Sequence, residues 1–147
     1  MRVSYPPTPS YRRLMYFIDG GYLRNSLNEV KRNEEFNLRD FPSRINKEFF
    51  GDGRIQGEII RVYYYDAICE ISEPQYKDQR TLFDRLNGIE FVEVKLANLV
   101  RKGDGRLEQK GVDVLIAVDM ISKAYENHYD IAIVLGGDRD FYPLIKA

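Results

Sequence analysis

The protein has 147 residues, 44% of them hydrophobic and 31% charged, with a formal net charge of -1. Such a chain closes one core without disulfides, and its composition excludes a disordered or fibrous class and a globally basic surface for nucleic acid. With Cys69 and His128 each alone of their kind there is no zinc set; the single thiol fits a reducing cytosol, and no apolar run approaches the eighteen or so residues of a membrane span, so a cytoplasmic protein is expected.

In chain order, residues 1–13 carry Pro6, Pro7 and Pro9 and read as a flexible leader, with the domain spanning 14–147. LMYFI from Leu14 is a short apolar run closed by Asp19-Gly20-Gly21, as a buried parallel strand would be. Leu23, Leu27 and Val30 fall at helical spacing, and a second helix is expected from Leu38 to Phe50 behind an Asn37 cap. GDGRIQG reads as a loop too weak in pattern to be a phosphate loop, and EIIRVYYYDAI as the second strand, ending at Tyr65-Asp66. Pro74 opens a third helix that ends before Gly88, and IEFVEVKLANLV alternates as a half-exposed third strand. After RKGDGRLEQKG, a polar loop, Val112, Ile116, Met120 and Ala124 mark one stripe of a helix of about four turns. DIAIVLGGDRDF is the fourth strand and its exit, and FYPLIKA stops where another helix begins, so a domain truncated at its C-terminus is expected. Strands alternating with helices predict an α/β fold, a mostly parallel sheet of four or more strands covered on both faces.

Ligands of open α/β sheets bind beyond the carboxyl ends of the strands. Asp19 follows the first strand, Asp138 and Asp140 follow the fourth, and Asp113 opens the helix before it. Two unit charges about 4 Å apart repel by about 4 kcal/mol at an effective dielectric near 20, so this rim calls for a cation. Oxygen donors without Cys or His suit Mg2+ or Mn2+, which points to metal-assisted phosphoryl transfer. Each aspartate alone reads equally well as a turn former or helix cap; their joint occurrence is what that reading leaves unexplained.

FIDGGYLRNSL, KGVDVLIAVDM and VLGGDRDFYPLI resemble, in order and spacing, the three signature segments of the NYN family, whose LabA-like members are PIN-related nucleases. The similarity runs from Leu14 almost to the end. It implies a PIN-like three-layer α/β/α sandwich and a metal-dependent ribonuclease, with Asp19, Asp113, Asp138 and Asp140 as catalytic and metal-binding positions and Asp119 as a weaker metal candidate. Two departures bear on activity: many members resemble D-G-x-N where this chain has Tyr22, and many carry a hydroxyl residue where it has Gly136.

Lys95, Arg101, Lys102, Lys110 and Arg139 are candidates to track the backbone of RNA, expected to be single-stranded. The plain alternative is a solvated loop, with Arg106 also in it, balanced by Asp104 and Glu108. Tyr63, Tyr64 and Tyr65 are expected to pack in the core or on the sheet rather than stack on bases. Asp119 is expected to pair with Lys123 one turn on. The competing functional class is a catalytically degenerate module that binds RNA or a protein partner. A homodimer and a further domain in a longer parent chain both stay open, and a D-x-D phosphatase is disfavoured by Gly21.

Overall fold

The computed structural model of the protein describes residues 10–29, 37–51, 55–137 and 141–146. Its elements in chain order are β1 (Ser10–Asp19), α1 (Gly20–Glu29), α2 (Phe41–Phe50), β2 (Ile55–Ile68), α3 (Tyr76–Asn87), β3 (Val92–Arg101), β4 (Leu107–Lys110), α4 (Val112–Tyr125), β5 (Ile131–Leu135) and α5 (Tyr142–Lys146). The strands form one five-stranded sheet in the order β4-β3-β2-β1-β5. β1 is parallel to β2 and β5, β2 is parallel to β3, and only β4 runs antiparallel, against β3. The fold is mixed α/β around a mostly parallel sheet.

The LMYFI run is continuous because β1 lies between two parallel neighbours and both of its faces are covered. Successive side chains alternate between faces. Leu14, Tyr16 and Ile18 pack in one cluster with Leu23, Phe41, Ile45 and Phe83 of α1, α2 and α3. Met15 and Phe17 pack in another with Val112, Ile116 and Met120 of α4, and with Phe141 and Leu144 at α5. The Tyr16 hydroxyl, buried in the first cluster, donates to the Pro42 carbonyl at 2.9 Å. All three consecutive tyrosines of β2 are buried, Tyr64 in the first cluster and Tyr63 and Tyr65 in the second, as expected.

The differences from expectation lie where pairing overrides local pattern. β1 begins at Ser10 rather than Leu14, and β2 at Ile55, inside the segment read as a loop; the two extensions pair with each other, Ser10 with Ile55 and Arg12 with Gly57. Neither has the apolar pattern of a strand, so only the ladder identifies them. Gly57 belongs there because a Cβ would stand 2.5 Å from Asn46 and 2.6 Å from Leu14. The polar stretch after β3 is a hairpin, with Gly105 at φ 82° in its turn and β4 paired to β3 from Asn98–Lys110 to Arg101–Leu107. A short charged edge strand carries almost no hydrophobic signal. α2 starts at Phe41, after a turn in which the Asn37 side chain accepts the Arg39 N–H. α3 starts at Tyr76, two residues past Pro74. In α4 the buried stripe is Val112, Ile116 and Met120, while Ala124 is exposed.

Candidate functional site

The chain leaves β1 toward β2 on one side, while β5 is added on the other side of β1. This is a topological switch point, where the loops beyond adjacent strands diverge and leave a crevice. A cleft of about 730 Å³ lies there, and its walls include Asp19, Tyr22, Arg24, Gln109, Asp113 and Gly137.

Asp19 is the last residue of β1, and its Oδ1 accepts the Tyr22 N–H at 3.0 Å, capping the first turn of α1. Its Oδ2 takes no hydrogen bond among the described residues. Asp113 is exposed in the first turn of α4. The chain reaches that turn from β4 through Gly111 at φ 86°, a conformation that glycine adopts without the penalty a Cβ brings. Gly137 follows β5 and enters the same cleft, and a Cβ on it would overlap the Tyr22 ring. The Tyr22 side chain, 39% exposed, therefore closes against the last signature segment just ahead of position 138.

A second carboxylate, which sequence reasoning passed over, stands behind this wall. Asp66 near the end of β2 is 0% exposed. The Arg24 guanidinium forks onto it, Nη1 donating to Oδ2 and Nη2 to Oδ1 at 3.0 Å. Tyr64 donates its hydroxyl to Oδ2 at 3.2 Å, the Ala67 N–H donates to Oδ1 at 2.8 Å, and Gln109 Nε2 donates to Oδ1 at 3.4 Å. The hydrogen bond to Asp66 holds Arg24 firmly protonated, and burial, with the Asp66 anion beside it, pushes the Tyr64 hydroxyl up to about 12. Gly20 completes the arrangement, since a Cβ there would meet Tyr64 at 2.5 Å and Asp66 at 2.7 Å. The signal was present in the sequence: Asp66 follows YYY as Asp19 follows LMYFI, at the expected end of the second strand, which in the structure runs on to Ile68; what the pattern does not show is its partner, Arg24.

Of the other site residues read from the sequence, Asp119 does not line the cleft. It lies six residues beyond Asp113, about 9 Å along the helix axis. It accepts the Tyr65 hydroxyl and the Lys95 ammonium, each at 2.8 Å, so its partner is Lys95 from β3 rather than Lys123. Burial first, then Asp119, pushes the Tyr65 hydroxyl upward. Lys95 also sits 4.9 Å from the Tyr63 ring centroid, and Lys123 sits 5.1 Å from it. Lys102 pairs with Glu108 at 2.8 Å and Arg106 with Asp104 at 2.8 Å, as in the plain alternative of a balanced loop, while Arg101 pairs at 2.7 Å with Glu73, which lies outside that loop. Lys110 is exposed at the end of β4, beside the cleft-lining Gln109 and Gly111. Asp138, Arg139 and Asp140 lie outside the described residues. Among the described residues no three His, Cys, Asp or Glu side chains group closely enough to hold one ion.

A family model described as NYN domain matches residues 13–147. The comparisons with curated proteins and with solved structures found no match.

Proposed function

Because this chain belongs to the NYN domain family, a family of PIN-like nucleases, we propose that it is a metal-dependent ribonuclease that hydrolyses RNA phosphodiester bonds in the cleft of Asp19 and Asp113. The observation that carries the reading is that these two aspartates, far apart in sequence, line one cleft at the switch point, with Gly137 entering it immediately before Asp138. Their oxygens are the donors that a hard divalent cation prefers, and in this reading Asp138 and Asp140 complete the set for Mg2+ or Mn2+. Such an ion, when bound, lowers the pKa of a water and neutralises charge on the phosphoryl oxygens.

The protein's own part is positioning. The Tyr22 N–H fixes the rotamer of Asp19. The first turn of α4 sets a partial positive charge beside Asp113, which favours both that carboxylate and an incoming phosphate. The exposed Tyr22 ring offers a face on which a base of a single strand stacks. The same reading takes the helices of the two core clusters as outer layers of a three-layer α/β/α sandwich. It places the protein in the cytoplasm on the strength of its one, buried, free thiol. No described helix is long and apolar enough to cross a membrane.

The test is cleavage of single-stranded RNA by the purified protein with Mn2+ or Mg2+. Asp19→Asn and Asp113→Asn are expected to lose cleavage while remaining folded; equal rates in all three proteins remove the reading. One observation favours a second reading, an RNA- or protein-binding module without catalysis: the Tyr22 ring fills the wall where many family members resemble an asparagine. A ligand that binds only the folded state raises the melting temperature with its concentration. A melting temperature indifferent to millimolar Mn2+ would decide for the module.

A further inference from the structure

We propose that Arg24 is the phosphate-binding cation of the cleft, aimed by the buried carboxylate of Asp66, and that it contacts a phosphodiester of an RNA strand lying across Asp19 and Asp113. The inference rests on the reading of the cleft as an RNA site and deepens it, because three of the basic residues legible in the sequence are engaged elsewhere. Arg101, Lys102 and Lys95 each face an acid of their own. Arg24 differs in position and in state. Its side chain is 46% exposed and lines the cleft, while the carboxylate that holds it is fully buried.

Guanidinium has five N–H groups in a rigid plane. The fork onto Asp66 consumes one on each Nη, and Nη1 also reaches the Tyr64 hydroxyl at 3.3 Å. The Nε–H and the second Nη2 hydrogen make no hydrogen bond among the described residues. A fork anchored on one edge presents its remaining donors in a fixed direction, which suits phosphate better than a mobile lysine does. Asp66 is a positioning residue here, held in turn by Tyr64, Ala67 and Gln109.

The test measures binding of a labelled single-stranded RNA oligomer in EDTA, so that no strand is cut, as a function of salt. The double variant Arg24→Gln/Asp66→Asn removes both charges at once, keeps a polar hydrogen-bonding side chain at each position and leaves the net charge unchanged. Binding is expected to weaken about tenfold or more, and the slope of log affinity against log salt to shrink by about 0.7, one phosphate contact to a single strand. Unchanged affinity and slope in a protein that melts as a folded domain overturn the inference, as does failure of the wild type to bind. Should the double variant not fold, Arg24→Lys serves: lysine can pair with Asp66 or reach a phosphate but cannot fork onto both, so weaker binding at an unchanged melting temperature supports the assignment and wild-type binding ends it. Loss of the nuclease reading looks different, a wild type that binds but never cleaves with Mn2+.

Discussion

Asp19 ends β1 and Asp66 stands near the end of the adjacent parallel strand β2, one residue apart in level, since Asp19 pairs with Tyr65. Alternation points them to opposite faces of the sheet, and that single step separates their chemistry. Asp66 is buried and takes four donors, so its charge is neutralised inside the molecule. Asp19 takes one backbone N–H and opens on the cleft beside the first turn of α4. A carboxylate at a strand end is therefore not by itself a site: the face it points to and the donors it meets decide whether it serves the fold or a ligand.

Five variants sharpen or break that contrast. The largest concerns activity: Asp19→Asn should lower the rate of Mn2+-dependent RNA cleavage by more than about a hundredfold, beyond what loss of an outer partner of a metal ligand brings. Unfolding by denaturant should show its stability within about 0.5 kcal/mol of wild type, as for a surface change that touches no core. Arg24→Ala should behave the opposite way on the stability axis. It strands a buried anion, which costs about 3 kcal/mol, the lower end for such a change because Tyr64, Ala67 and Gln109 still donate. Adding Asp66→Asn to a neutral residue at position 24 should recover most of that loss, since no charge is then left buried; a double variant as unstable as the single would mean that shape rather than charge holds this wall.

Gly20→Ala probes the boundary between the two carboxylates. Its Cβ would press on Tyr64 and Asp66, and overpacking of this kind costs about 1–3 kcal/mol, read as a lowered denaturation midpoint. The smallest effect is remote from the cleft. Arg13 donates from its backbone and side chain to Asp130, and these bonds hold the Asp130 carboxyl at about 2. A depressed carboxyl contributes stability above its unfolded pKa of about 3.9, and the contribution disappears as pH falls through the folded value. The melting temperatures of wild type and Asp130→Asn should therefore differ at pH 5 and converge between pH 4 and pH 2. A constant gap across that window would show that the pair does not titrate as the geometry implies.

The basic hairpin and the cleft wall offer the same lesson with the sign reversed. Five cations near the rim were legible as a charge pattern, yet Arg101 sits on Glu73 between β2 and α3 and Lys102 on Glu108 of β4, and exposed pairs of this kind contribute little. Arg24 carried no pattern at all. In the sequence it is one polar residue on a short amphipathic helix, and only the packing of α1 across β2 brings it to Asp66.

What the sequence determined by itself was whatever is written locally and periodically. The buried runs of β1 and β2, the α4 stripe through Met120, the three buried tyrosines and the placement of Asp19 and Asp113 near one rim all follow from side-chain period and strand-end position, which neighbouring residues set among themselves. Family membership was legible too, because its signature segments are contiguous. Tertiary structure alone decided the pairing of Ser10–Arg12 with Ile55–Gly57, the β4 edge, the ion pair of Asp119 with Lys95 and the Arg24–Asp66 wall. Each of these joins groups that are distant in the chain, and a polar side chain has no preferred partner until folding removes water from around it and makes an unpaired charge costly.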